Sequence, residues 1–244
     1  MTSSIYFVLG VFILAGLVKG VVGLGLPTIS MGLLALVMPP VEAAALLILP
    51  SLVTNIWQML AGPHLRSLIR RQWPVMLGIV AGTLAGAGWL VGSGARYGSL
   101  LLGIVLAIYA IIGLRSIHFR IAEKAQRWLG PVVGAITGLI TAATGVFVIP
   151  MVPYLQAVGL EKEELVQALG LSFTVSTLAL AINLAATSAL SMSLGLTAIA
   201  ALVAACAGMG LGQVLRQRLK PETFRRVFFV GLFVLGLYLA AESI

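Results

Sequence analysis

The chain has 244 residues, 60% of them hydrophobic and only 9% charged, with a mean hydropathy of +1.12. Such a composition excludes a water-facing surface over most of the length and places the chain in the membrane class. A net charge of +8 would suggest nucleic acid in a soluble protein, but the basic residues fall in short loops between apolar runs, where they orient helices, so no nucleic-acid partner is expected.

Residues 5–38 are apolar but interrupted by Lys19-Gly20-Val21-Val22-Gly23-Leu24-Gly25-Leu26-Pro27. No Lys or Arg precedes the first apolar stretch and no small-residue cleavage site follows it, so the segment reads as retained structure rather than a signal peptide. A continuous span follows at 43–61, in which Ser51, Asn55 and Gln58 recur on one helical face with Thr54 beside them. Spans at 73–92 and 98–115 are each long enough to cross a bilayer once. The second interrupted segment, 130–158, breaks at Thr141-Ala142-Ala143-Thr144-Gly145 and again at Pro150. Span 165–185 carries Ser172, Ser176 and Asn183 on one face with Thr177 alongside; spans 194–215 and 223–241 complete the chain. The single cysteine, Cys206, lies inside an apolar run, which leaves no disulfide framework or thiolate metal site.

Setting residue n against n+122 aligns Gly16 with Gly138, Gly23 with Gly145, Glu42 with Glu164, Thr54 with Ser176, Gly86 with Gly208 and Gly88 with Gly210. The expected organisation is therefore an internal duplication, 1–122 and 123–244. Three loops are basic: Arg66, Arg70 and Arg71; Arg115, Arg120, Lys124 and Arg127; and Arg216, Arg218, Lys220, Arg225 and Arg226. All three should be cytoplasmic. Three full crossings between the second and third would put the third outside, so the interrupted segment 130–158 is expected to return to its own side as a re-entrant or broken hairpin. The equivalent loops carry opposite charge character: 62–72 is basic and 186–193 uncharged, while 216–226 is basic and 93–98 has Arg96 alone. The fold expected is an all-α polytopic membrane protein built from two inverted-topology repeats, each a hairpin plus three transmembrane helices.

A helix that starts at a break in mid-membrane presents unpaired N–H groups and the positive end of its dipole, which favour an anion. Two such ends are expected, at Gly25-Leu26-Pro27-Thr28 and at Gly145-Val146. Lys19 is the only ionisable residue between Met1 and Glu42; it either lines the anion path, or snorkels to an interface or caps helix carbonyls. The candidate substrate-binding set is Lys19, Gly23, Gly25, Pro27, Thr28, Ser51, Thr54, Asn55, Gln58, Thr141, Thr144, Gly145, Ser172, Ser176 and Thr177. Polar stripes at this depth can equally join helices together. Glu42 and Glu164 each begin a helix, where a carboxylate complements the dipole. Gly82, Gly86, Gly88, Gly208, Gly210 and Gly212 read as small-residue helix contacts. His64 and His118 sit in loops, and Trp73 and Trp128 beside basic loops read as interfacial anchors. No catalytic triad, Walker loop or metal-ligand spacing occurs, so no enzyme, cofactor or metal is expected.

Gly16 to Pro27 (GLVKGVVGLGLP), Leu49 to Gln58 (LPSLVTNIWQ), Gly82 to Gly88 (GTLAGAG), Gly138 to Ala157 (GLITAATGVFVIPMVPYLQA) and Gln167 to Thr177 (QALGLSFTVST) together resemble the sulfite exporter TauE/SafE family, the toluene sulfonate uptake permease group. Family members often carry more glycine in the first break, where Leu24 and Leu26 stand here. The resemblance implies secondary transport of sulfur oxyanions, organosulfonates or related small organic anions, and the expected location is the inner (plasma) membrane. The function expected is alternating access around a midplane site at the repeat interface, with sulfite or a sulfonate as cargo. A carboxylate or other organic-anion permease, and a non-transporting scaffold or assembly factor, are the alternatives. Partners are a small anion and the lipid bilayer; a coupling proton or other ion is a further open partner, with no evident carrier residue, and the sequence leaves the oligomeric state open, a homodimer included.

Overall fold

A computed structural model describes residues 2–91, 94–115, 120–187, 189, 195–216 and 221–243. His118, Arg218, Lys220 and most of the 186–193 loop lie outside the described residues. The described chain is all-helical: α1 (Thr2–Val22), α2 (Leu26–Leu34), α3 (Pro40–Leu60), α4 (Leu65–Ala85), α5 (Gly98–Arg115), α6 (Glu123–Thr144), α7 (Met151–Ala157), α8 (Lys162–Ala186), α9 (Gly195–Arg216) and α10 (Pro221–Glu242). Six of these, α1, α3, α5, α8, α9 and α10, are long and apolar enough to span a membrane. The protein is thus a multi-pass membrane protein, and the exposed large side chains, such as Trp57, Leu77, Ile182 and Val203, are the apolar surface a bilayer requires.

The span expected at 73–92 instead runs from Leu65 to Ala85. Its first two turns hold Arg66, Arg70 and Arg71, and Gly86 and Gly88 (φ +84°) end it early. Those arginines are why α4 does not read as an uninterrupted apolar span. Both interrupted segments are split as expected, α1 from α2 and α6 from α7.

Close glycine contacts fix how the helices run. Gly16 and Gly20 of α1 lie against the carbonyls of Ala205 and Met209, so α1 and α9 are parallel. Gly78 and Gly82 of α4 lie in the same way against Pro131 and Ala135 of α6. A Cβ at any of these positions would overlap backbone, which is how small residues let membrane helices approach. Gly82, Gly208 and Gly212 make such contacts and Gly86 lies against the Ala142 side chain, but Gly88 and Gly210 face open space, so the helix-contact expectation fails for those two. α3 and α8 run antiparallel, since Gly170 meets Met59 while Thr177 meets Asn55. Ile121 N–H donates to Ala157 O (2.9 Å), so the α6–α7 hairpin begins and ends on the same side.

Most of the described basic residues gather at one end of the molecule, whereas the turn holding Arg96 lies at the other end, before α5 and by the start of α3, and Lys19 is buried among the helices. Arg71 of α4 donates to Gln126 of α6 (3.0 Å), and Arg216 closes one cavity with Trp57 of α3 and Ala61 just after it. Phe229 of α10 packs on Gly113 near the end of α5. Trp73 and Trp128 are 56% and 64% exposed at this end, consistent with interfacial anchoring.

Candidate functional site

The first break is made by two glycines. Gly23 (φ +79°) ends α1, its N–H donating to Lys19 O (2.7 Å), and Gly25 (φ +109°) precedes α2, with Pro27 in the first turn. Both take left-handed backbone that other residues resist. Leu24 and Leu26 are buried and anchor the turn in the core. Thr28 Oγ1 donates to Gly25 O (3.0 Å).

Lys19 sits one turn before this break and is 4% exposed. Its Nζ donates to Thr54 Oγ1 (3.1 Å) and to Asn55 Oδ1. Asn55 Nδ2 in turn donates to Thr177 Oγ1 (3.2 Å), so one chain of hydrogen bonds joins α1, α3 and α8. Asn55 and Thr177 both lie within roughly 8 Å of their helix midpoints at 1.5 Å per residue. His64 lies 3.6 Å from Glu164, and among the described residues no carboxylate pairs with Lys19. The Lys19 side chain is thus held by neutral oxygens alone. The side chain is buried and does not reach the molecular surface.

Gln58 Nε2 bridges Gly23 O (3.2 Å) and Val166 O (2.9 Å), tying the break to α3 and α8, while its Oε1 has no partner. Ser51 Oγ and Ser176 Oγ are also buried without partners. Ser172 and Thr177 donate to carbonyls of their own helix, Ala168 and Phe173. Beside Lys19 and Gln58 a cavity of about 490 Å³ opens toward the basic end past Gln213 and Arg216.

The second break is not joined to this cluster. Gly145 (φ +71°) ends α6 beside Met31 and Ala44, near the start of α3, whereas Gly23 lies by Gln58 near its other end. From Ala44 to Gln58 is roughly 20 Å along a helix. Thr141 and Thr144 donate to Thr137 O and Ile140 O (both 2.7 Å), and Thr144 Oγ1 also receives Val146 N–H (3.2 Å). The helix expected to start at Gly145-Val146 begins at Met151, because Val146, Val148 and Ile149 favour extended backbone and the residue before Pro150 avoids the helical region. At seven residues, α7 has little dipole to offer.

Gln167 was not among the expected site residues. It is buried, donates to Met59 O and Gly62 O (both 2.7 Å) and receives His64 N–H (2.9 Å), which pins α8 to the end of α3 beside the cavity. Gln213 was also missed; the signal was its place three residues before Arg216, on the same helical face. Glu42 and Glu164 are helix-start residues as expected, Glu164 closing a capping box with Glu161.

Residues 8–239 match the family model described as Sulfite exporter TauE/SafE. No curated protein and no solved structure matches the chain.

Proposed function

Because the chain belongs to the sulfite exporter TauE/SafE family, we propose that it carries a small sulfur oxyanion, sulfite or an organosulfonate, across the plasma membrane by binding it at Lys19. The observation that carries this reading is the buried Lys19, held by Thr54 and Asn55 with no carboxylate partner and reached by an open cavity. Unpartnered groups on Ser51, Ser176 and Gln58 offer further polar contacts for an oxyanion losing its hydration. The basic end is cytoplasmic on the positive-inside rule, so the cavity past Arg216 is the cytoplasmic access.

Alternating access rests on two inverted halves, and several features support them. Exchanging the halves turns the α1–α9 pair into the α6–α4 pair and leaves α3–α8 and α5–α10 as self-related pairs. Gly23 and Gly145 share left-handed backbone, and the Asn55–Thr177 bond joins positions 122 apart. Matching contacts favour pairing Gly82 with Gly208 and Gly86 with Gly212, in place of Gly86 with Gly208: Gly82 faces Ala135 as Gly208 faces Ile13. The second loop of this kind is then four residues longer than the first. A single central site between the halves is accordingly assigned to the Lys19–Asn55–Thr177 chain and not to the two breaks together.

The test is uptake of radiolabelled sulfite into proteoliposomes, with methanesulfonate, acetate and sulfate as competitors. Saturable uptake, competed by methanesulfonate and reduced at least tenfold by Lys19→Met, is expected. Uptake competed by acetate alone would reassign the protein to carboxylates, and unchanged uptake by Lys19→Met would remove Lys19 from the site.

A further inference from the structure

A second cavity, about 1100 Å³, opens at the basic end between the first turns of α4 and α6, with Tyr154 of α7 behind it. It is separate from the Lys19 cavity, which lies among α1, α3 and α9. Arg70, Arg71, Lys124 and Arg127 line it, against Glu123 as its one carboxylate. Among the described residues Arg70, Lys124 and Arg127 have no hydrogen-bonded or ionic partner. Arg71 is held in place: it donates to Gln126 Oε1 (3.0 Å), whose Nε2 donates to Ile121 O (3.0 Å) and whose carbonyl receives the Tyr154 hydroxyl (3.3 Å).

The wall of this cavity also contains Gln72, 3% exposed, and neither its Nε2 nor its Oε1 has a partner. A buried amide unmet at both ends is costly unless something both accepts from its nitrogen and donates to its oxygen. The surrounding charge asks that the same molecule be anionic. Trp73, the next residue and also on the cavity wall, is half-exposed at the level where indole rings meet lipid headgroups. Basic pockets between membrane helices on the cytoplasmic side are suited to anionic headgroups.

We propose that this cavity binds the headgroup of an anionic phospholipid of the phosphatidylglycerol type, with the phosphate on Arg70, Arg127 and Lys124 and a headgroup hydroxyl on Gln72. The bound lipid bridges α4 and α6 and stabilises the folded carrier, and it takes no part at Lys19.

Thermal unfolding of the full-length protein in detergent tests this, with phosphatidylglycerol, phosphatidylcholine or glycerol 3-phosphate added, alongside native mass spectrometry of retained lipid. Phosphatidylglycerol should raise the midpoint by several degrees and be retained at one per chain, with phosphatidylcholine doing neither. Arg70→Gln with Arg127→Gln should remove at least half of the shift. Gln72→Leu should remove most of it while unfolding no earlier than the wild type without lipid, since it loses a buried amide that had no partner. An equal shift from glycerol 3-phosphate would overturn the lipid assignment in favour of a soluble organic phosphate. No selective shift, or a shift that persists in both variants, would overturn the site. Sulfite uptake through Lys19 is read separately, so either proposal can fail alone.

Discussion

An ammonium buried among neutral oxygens depends on each of them, because no carboxylate shares the load. Asn55 accepts from Lys19 and donates to Thr177, so Asn55→Leu removes a bond to a cation and also leaves Thr177 without its donor. Hydrogen bonds to charged groups are worth about 1.5–3 kcal/mol and neutral ones about 1. Asn55→Leu should therefore lower the unfolding midpoint clearly more than Thr177→Val, and in a Lys19→Met background the Asn55→Leu cost should shrink to the neutral value. Equal costs in both backgrounds would show that the Lys19–Asn55 bond is not energetically present. Part of this cluster was legible in the sequence: a lone lysine in an apolar run and a polar stripe at helical spacing each announce themselves. Their meeting was not, because it depends on the angle at which α1 crosses α3. Gln167 and Gln72 were harder still, since a glutamine in the second or third turn of a helix with a charged start looks like an exposed residue until packing buries it.

At the scale of elements, three glycines fall into two with distinct purposes and one with none, which sequence alone does not separate. Gly138 of α6 faces the Ile79 carbonyl and Thr83 nitrogen, both backbone, so a methyl there must push α4 and α6 apart. Gly23 has only Gln58 nearby, at 3.8 Å from an added Cβ, and needs glycine for its φ of +79°. Gly210 has nothing within 4 Å and ordinary helical backbone. Gly138→Ala should be the most destabilising, about 3 kcal/mol as overpacking. Gly23→Ala should cost about 1–2 kcal/mol as left-handed strain. Gly210→Ala should gain up to about 1 kcal/mol from helix propensity. Thermal midpoints falling in any other order would contradict these roles. The breaks themselves were legible from Gly and Pro spacing, and the 98–115 span coincides with α5. The start of α7 was misplaced because the run Val146–Ile149 is apolar enough to look helical while its β-branched residues hold it extended.

For the whole molecule the decisive quantity is how many times the chain changes sides. The Ile121–Ala157 bond holds the two ends of the α6–α7 hairpin together, so Lys124 and Lys162 should lie on one side, and Ser67 at the start of α4 with them. From there α8, α9 and α10 each cross once, which carries Ser243 to the opposite side. In a Cys206→Ser background, Ser67→Cys, Lys124→Cys and Lys162→Cys should all react with a membrane-impermeant maleimide only from the cytoplasm, and Ser243→Cys only from the other face. Lys124 and Lys162 labelling from opposite faces would mean that α6 and α7 together span, and the two halves would then share one orientation. A carrier with like-oriented halves has no exchange of inward-facing and outward-facing forms by symmetry, so that result would remove the physical basis for alternating access while leaving the Lys19 cluster intact. Labelling of all four positions from one face would instead fail the three-crossing count of α8 to α10. The reason to expect neither is energetic: the basic first turns of α4 and α6 and the last turn of α9 can share one aqueous boundary only if the hairpin returns, and moving any of these arginines into hydrocarbon costs about 2.5–3.5 kcal/mol each.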